Sequence, residues 1–299
     1  MKIIKRSNLN KLFLMLEHAL DKEQDSWIPN SYSSVFNVED KVDANIRDET
    51  IRWLFLLSDH LHLTPETAVL SANILDSFLC VVKARPKYLQ CIGVACLFLA
   101  AKLLEEDEVT PSVEYLVEVT ACTFSVADIL RMEKIILNKL EWNVRRATAL
   151  DFIYILHAII VCEQPNLLSK FRHMTTGKQL TVLVQKILMC QESSEVVSFS
   201  PSTQALALIS LELGLCTTEW FAITIMLQKL VQVDNRELIQ CREAMTAAML
   251  KRVTCTRIAS NKRKMEDLNE EDDIYGSIKC LYGEEPACVQ EAAQENVAA

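Results

Sequence analysis

The stretch Pro86-Lys87-Tyr88-Leu89-Gln90-Cys91-Ile92-Gly93-Val94-Ala95-Cys96-Leu97-Phe98-Leu99-Ala100-Ala101-Lys102-Leu103 decides the fold. Between its two lysines no residue is charged, and small side chains (Cys91, Gly93, Ala95, Cys96, Ala100, Ala101) recur on every side of a helical projection. A helix without a polar face must be wrapped by other helices, and small residues let those neighbours approach closely. Residues 201–213 have the same character, with Ala205, Ala207 and Ser210, and Pro201 follows Pro86 by 115 residues.

Around these two segments the apolar residues keep a period near 3.6, as amphipathic helices do. Ile51, Leu54, Phe55 and Leu61 stripe one helix, and Ile129, Met132, Ile136, Leu137 and Leu140 another. Proline suits the first helical position, where its missing N–H would go unbonded in any case. Thr64-Pro65, Thr110-Pro111 and Ser200-Pro201 each set a hydroxyl cap before such a proline, while Arg85-Pro86 opens a helix uncapped. Asp234 with Glu237 resembles a capping box, and Thr148 with Asp151 and Ser125 with Asp128 are weaker versions. Each all-apolar segment has two amphipathic helices before it and two after it. The pattern predicts an all-α protein of two tandem five-helix domains, 44–145 and 146–252. An extra helix precedes them in residues 1–43, striped by Leu9, Leu12, Phe13, Leu16 and Leu20, and an acidic, disordered tail follows in 253–299.

Charge and composition narrow the function. Of the net charge of −9, residues 259–299 carry −6 from 4 basic and 10 acidic side chains, leaving −3 on the other 258 residues. Such a body does not suit a polyanion, which speaks against nucleic acid as partner. Only 5 of 299 residues are Gly, and neither GxGxxG nor GxxxxGK[ST] occurs, so glycine-rich phosphate loops are excluded. The 11 cysteines form no CxxC pair and read as reduced, mostly buried thiols; the histidines at 18, 60, 62, 157 and 173 lack ligand spacing. No metal, cofactor or nucleophile–base arrangement follows, and the chain is not expected to be an enzyme. The charge-free run Tyr88–Ala101, 14 residues, is shorter than a bilayer requires, and the first twenty residues lack a signal-peptide core. The expectation is an intracellular protein without a membrane partner, in nucleus or cytoplasm; Lys262-Arg263-Lys264 is a weak nuclear-import candidate.

Local motifs go further. Ile46-Arg47 leading to Trp53-Leu54, Leu75-Asp76-Ser77-Phe78-Leu79, Leu99-Ala100-Ala101-Lys102 followed by Glu105-Glu106, and Leu130-Arg131-Met132-Glu133 occur in this order. Together they resemble the cyclin family, whose fold is a tandem of five-helix cyclin boxes. The ending through Lys262-Arg263-Lys264 and Tyr275 is most similar to the cyclin I and G subgroup. The resemblance implies a regulatory subunit that binds one cyclin-dependent protein kinase and holds its mobile C helix in the active position. Carried over by motif, Lys102 and Glu133 meet that helix, and Leu99, Leu103, Leu137 and Trp142 supply the apolar part of the surface. Taken alone, Lys102 and Glu133 read as an intramolecular ion pair.

The resemblance also implies that Arg47 and Asp76 form a buried structural pair joining the first two helices of the first box. Ile46, Trp53, Leu89 and Gln90 match part of the family's docking patch for R-x-L peptides. Asp48, Glu49 and Thr50 put carboxylates and a hydroxyl where Ile and Leu belong, so the patch is degraded. Ser77, in place of the Arg of L-D-R-F-L, is expected at the surface. An alternative reading is a non-activating adaptor on the same fold that gathers other proteins, such as phosphatase subunits. A DNA-binding double cyclin fold is a third, and the charge of the body opposes it.

Overall fold

The computed structural model describes residues 2–27, 42–120, 123–164 and 175–252. The acidic tail at 253–299, with its basic triplet, and most of the linker before residue 44 lie outside them. The chain divides into a compact unit, Met1–Met249, and a second, Leu250–Ala299. Of the second, only residues 250–252, which are helical, are described.

The described secondary structure is helical throughout. Helix α1 spans Lys2–Ser26, followed by α2 (Ala44–His60), α3 (Pro65–Val81), α4 (Leu89–Leu104), α5 (Val113–Thr120) and α6 (Val126–Lys139). Then come α7 (Ala149–Glu163), α8 (Thr176–Gln191), α9 (Pro201–Cys216), α10 (Trp220–Val231) and α11, residues 235–252. That is one helix ahead of two sets of five. In the first set α4 is central, packed on α2, α3 and α6; in the second α9 packs on α7, α8 and α10. Every residue from Cys91 to Ala101 and from Pro201 to Ser210 is buried. At Gly93 α2 packs closely on α4: a Cβ there would meet Leu54 at 3.3 Å. The segment Pro86–Leu104 is long and apolar enough to cross a membrane by length and composition, because the 14-residue run counts only between the lysines. Its apolar surface is instead spent inside the fold, with 67% of its most apolar window buried.

Two hydrophobic clusters form, one from α2–α6 and one from α7–α11. Helix α1 joins the second. Its stripe Leu9, Leu12, Phe13, Leu16 and Leu20 packs on the cluster of α7 and α9, far along the chain.

The helix starts differ instructively from their expected ranking. Ser125 with Asp128 and Thr148 with Asp151 are complete reciprocal capping boxes. Asp234 accepts from Arg236 N at 2.9 Å, but Glu237 turns away to accept from Thr203 Oγ1 at 3.1 Å, so no box forms there. Thr110-Pro111 does not open a helix. Helix α5 begins at Val113 with Ser112 Oγ accepting from Tyr115 N, and Thr110 Oγ1 donates back to Glu106 O. Pro86 starts a short 3-10 turn, Pro86–Tyr88, that leads into α4. Ser200 caps α9 by accepting from Thr203 N. Thr64 precedes α3 without a side-chain cap bond; Glu105 on the far side of α4 takes Thr64 N, Thr64 Oγ1 and Thr67 Oγ1 on one carboxylate oxygen. Burial acts to raise the Glu105 carboxyl, but these hydrogen bonds outweigh it and the net shift is downward.

Candidate partner-binding face

Lys102 lies in the last turn of α4, Glu133 in the middle of α6, and these two helices pack together. Lys102 Nζ donates to Glu133 Oε1 at 2.6 Å, with the Lys side chain 43% exposed and the Glu 13%. One turn back on α4, the ring of Phe98 lies 4.0 Å under the same ammonium. An exposed ion pair is worth about 0–1 kcal/mol, and a cation–π contact at such a site adds about 0.5–1 kcal/mol. These contacts hold the two charges together while leaving them reachable.

The apolar surround is only partly the expected one. Leu103 is 37% exposed and Leu137 half-buried. Trp142 is 70% exposed, and the backbone explains why. After α6, Glu141 and Trp142 both adopt the left-handed region (φ 51° and 63°), and Trp142 N returns to Leu137 O at 2.9 Å to close the helix. Two left-handed non-glycine residues cost about 1–2 kcal/mol each, and the turn they make throws the indole outward. Leu99 corrects the expectation: it is 4% exposed, a core residue of the first cluster, so it offers no surface to a partner. It lies one turn before Lys102 and Leu103 on the same side of α4, at a level where the first cluster encloses it. Leu130, named only as part of a motif, and Ile135, which no motif includes, are further exposed apolar residues on α6.

Arg47 and Asp76 are both buried. Arg47 Nε donates to Asp76 Oδ1 at 2.9 Å and Nη2 to Oδ2 at 2.6 Å, while Nη1 reaches the Gln191 and Glu192 carbonyls at 3.0 and 3.2 Å. The last two partners close the carboxyl end of α8, where a cation is favoured. Asp48 takes part as well. It accepts from Arg47 Nη1 at 3.2 Å, from Ser194 N at 2.9 Å and from Ser194 Oγ at 3.3 Å; burial pushes its carboxyl upward against the pull of Arg47. The residue that spoils the docking motif thus ties α2 to the segment after α8. On the docking patch itself, Ile46, Trp53 and Gln90 are half-buried and Glu49 is exposed; Thr50 Oγ1 bonds its own helix at Ile46 O. Leu89 is buried in the first cluster and not available to a peptide. Ser77 is also a correction, being buried with its hydroxyl donating to Asn73 O.

Sequence reasoning missed the bonds of Glu105 to Thr64 and Thr67, the contact of Arg47 with α8, and Tyr154, whose hydroxyl donates to Glu66 Oε1 at 2.5 Å between α7 and α3. Only Glu105 left a trace, as an acid just past the end of α4. Among the described residues no group of His, Cys, Asp and Glu converges as a metal site would. Cys91, Cys96, Cys190 and Cys241 are buried, and burial pushes the Cys190 thiol up to about 12.

Two five-helix sets, each around a buried central helix and the first bearing a surface Lys–Glu pair, define a protein of the cyclin-box class. Residues 15–145 match the family described as "Cyclin, N-terminal domain". The chain is 32% identical to Cyclin-G2 of Mus musculus over 210 residues, covering 69% of this chain and 58% of that protein. It is 32% identical to Cyclin-I2 of Homo sapiens (66% and 53% covered) and 30% identical to Cyclin-G1 of Pongo abelii (74% and 72% covered). The fold resembles a viral cyclin from Herpesvirus saimiri, with TM-score 0.60 at 21% identity over 80% of this chain and 97% of that one. The chain belongs to the cyclin family and to its G and I subgroup. It spans little more than half the length of the Cyclin-G2 and Cyclin-I2 relatives.

Proposed function

We propose that this chain is the regulatory subunit of a cyclin-dependent protein kinase, binding one kinase through the first box, 44–145, in the nucleus or cytoplasm. The observation that carries the proposal is the Lys102–Glu133 pair, held at 2.6 Å and still accessible, with Leu103, Leu137 and Trp142 as apolar company. A kinase is active only when its C-helix Glu reaches the Lys that holds the nucleotide phosphates. A surface that binds the inward position of that helix more tightly than the outward one shifts the kinase population toward activity. In the complex the ammonium and the carboxylate lose water, and main-chain carbonyl and N–H groups near the C helix replace it. The indole of Trp142 supplies the kind of large, rigid anchor that dominates interface energetics.

The test is binding and activation with the purified full chain and a panel of cyclin-dependent kinases. At least one kinase should bind and gain activity, and Lys102→Ala or Glu133→Ala should weaken binding by about 2–5 kcal/mol. Variants that bind and activate like the wild type would overturn the proposal. Recovery of phosphatase subunits from cells, with no kinase among the captured proteins, would favour the adaptor reading instead.

A further inference from the structure

A groove runs between the carboxyl half of α1 and the end of α10. One wall is an α1 stripe, Phe13, Glu17, Leu20 and Gln24, spaced three and four residues apart as a single helix face requires, with Trp27 following just past the end of α1. Leu230 lines the opposite side. Phe13, Leu20, Trp27 and Leu230 are each half-buried, so the floor is apolar and still partly open. The rim is acidic, with Glu17 and Asp21 both exposed and no basic residue in the lining. A third carboxylate, Glu23, is already committed: it is buried and accepts from Ser202 N at 2.7 Å, which fastens α1 to the start of α9.

We propose that this groove docks an amphipathic helix of a partner protein, one whose apolar ridge is flanked by arginine or lysine. Helix-in-groove recognition lays an occupant's apolar row, at i, i+3, i+4 and i+7 spacing, between apolar walls; here Phe13, Leu20 and Trp27 stand at intervals of seven along one wall and Leu230 on the other. Glu17 and Asp21 then select the charge of the occupant, since carboxylates covered by an acidic or neutral helix would lose water without gaining a partner. Arginine suits them best, through two-point hydrogen bonds. The groove is built from α1 and α10 and shares no residue with the Lys102–Glu133 face, so the proposal stands apart from kinase binding.

The probe is a fluorescein-labelled synthetic helix of roughly 18 residues, with leucines along one face and flanking arginines, titrated with the full chain by anisotropy. The arginine peptide should bind, and its counterpart with glutamate in place of arginine should not. Glu17→Lys with Asp21→Lys should weaken binding roughly tenfold or more. A control, Glu106→Lys with Glu108→Lys in the loop before α5, makes the same change in net charge and should leave the affinity within about twofold. Circular dichroism should show both double variants as helical as the parent. Equal loss in the control, equal binding of the glutamate peptide, or no binding of the arginine peptide would overturn the proposal. So would self-association of the parent chain that Glu17→Lys with Asp21→Lys abolishes, because the occupant would then be a second copy.

Discussion

Arg47 and Asp76 face each other across α2 and α3 in a two-point hydrogen-bonded ion pair, 2.9 and 2.6 Å long, with the Arg side chain at 0% exposure and the Asp at 5%. The remaining guanidinium nitrogen, Nη1, is anchored by Gln191 O and Glu192 O at the end of α8, so one side chain links three helices. A charge enclosed in this way is tolerable only because its hydrogen-bonding sites are occupied.

Asp76→Ala leaves the Arg47 charge buried without its carboxylate and should cost about 3–5 kcal/mol of stability, measured by urea denaturation. Replacing both residues by apolar ones should recover part of that loss but not all, because the Gln191 and Glu192 carbonyls would still lack the cation that they accept from now.

Lys102→Ala should separate stability from binding. Because the ammonium is 43% exposed, its loss should change unfolding free energy by no more than about 1 kcal/mol. A kinase-binding assay on the same preparation should nonetheless show a clear loss of affinity. A variant that unfolds readily would instead mark the pair as structural.

Glu105→Ala removes the acceptor for three donors at the start of α3 and should cost about 0.5–2 kcal/mol, as the loss of a helix cap does. The folded carboxyl lies below its ordinary value of 4.5, so the contribution is complete above that pH and fades as the pH falls through the lowered value. Denaturation midpoints of wild type and Glu105→Gln should therefore converge in acid.

His157 gives a second pH effect, at higher pH. Burial lowers its pKa from 6.5, against the pull of its hydrogen bond to Gln179 Oε1 at 3.2 Å. Below pH 6.5 the unfolded chain takes up a proton that the folded imidazole refuses, so stability declines as the pH falls from there toward the lowered value. In His157→Gln this component should vanish, and the difference between the two stability–pH curves should isolate it from Glu23 and Asp48, whose raised carboxyls act in the opposite direction.

Much of the architecture was legible in particular residues. The runs from Cys91 and from Pro201 announced two wrapped helices because local side-chain character alone settles whether a helix can keep a wet face. Ser125, Thr148 and Ser200 marked helix starts because capping acts within three residues. The candidate face was legible only in part: Lys102 and Glu133 stood out through motifs, while Leu99 and Leu89, as apolar as Leu103 and Leu137, proved to be core. One helical turn separates a residue that meets solvent from one that meets a neighbouring helix, and motif matching does not resolve that difference.

The chain alone determined the local terms: which segments coil into helices, where most of them begin, and which must lie innermost, since these follow from interactions over a few residues. Only the tertiary structure decided the long-range ones. It set α1 against α7 and α9, gave Arg47 its contacts at the end of α8, sent the Glu105 carboxylate back to α3, and turned Trp142 outward. Such contacts join groups tens of residues or more apart, and many segments present similar apolar stripes and charges; the choice among them is made by packing the whole molecule at once.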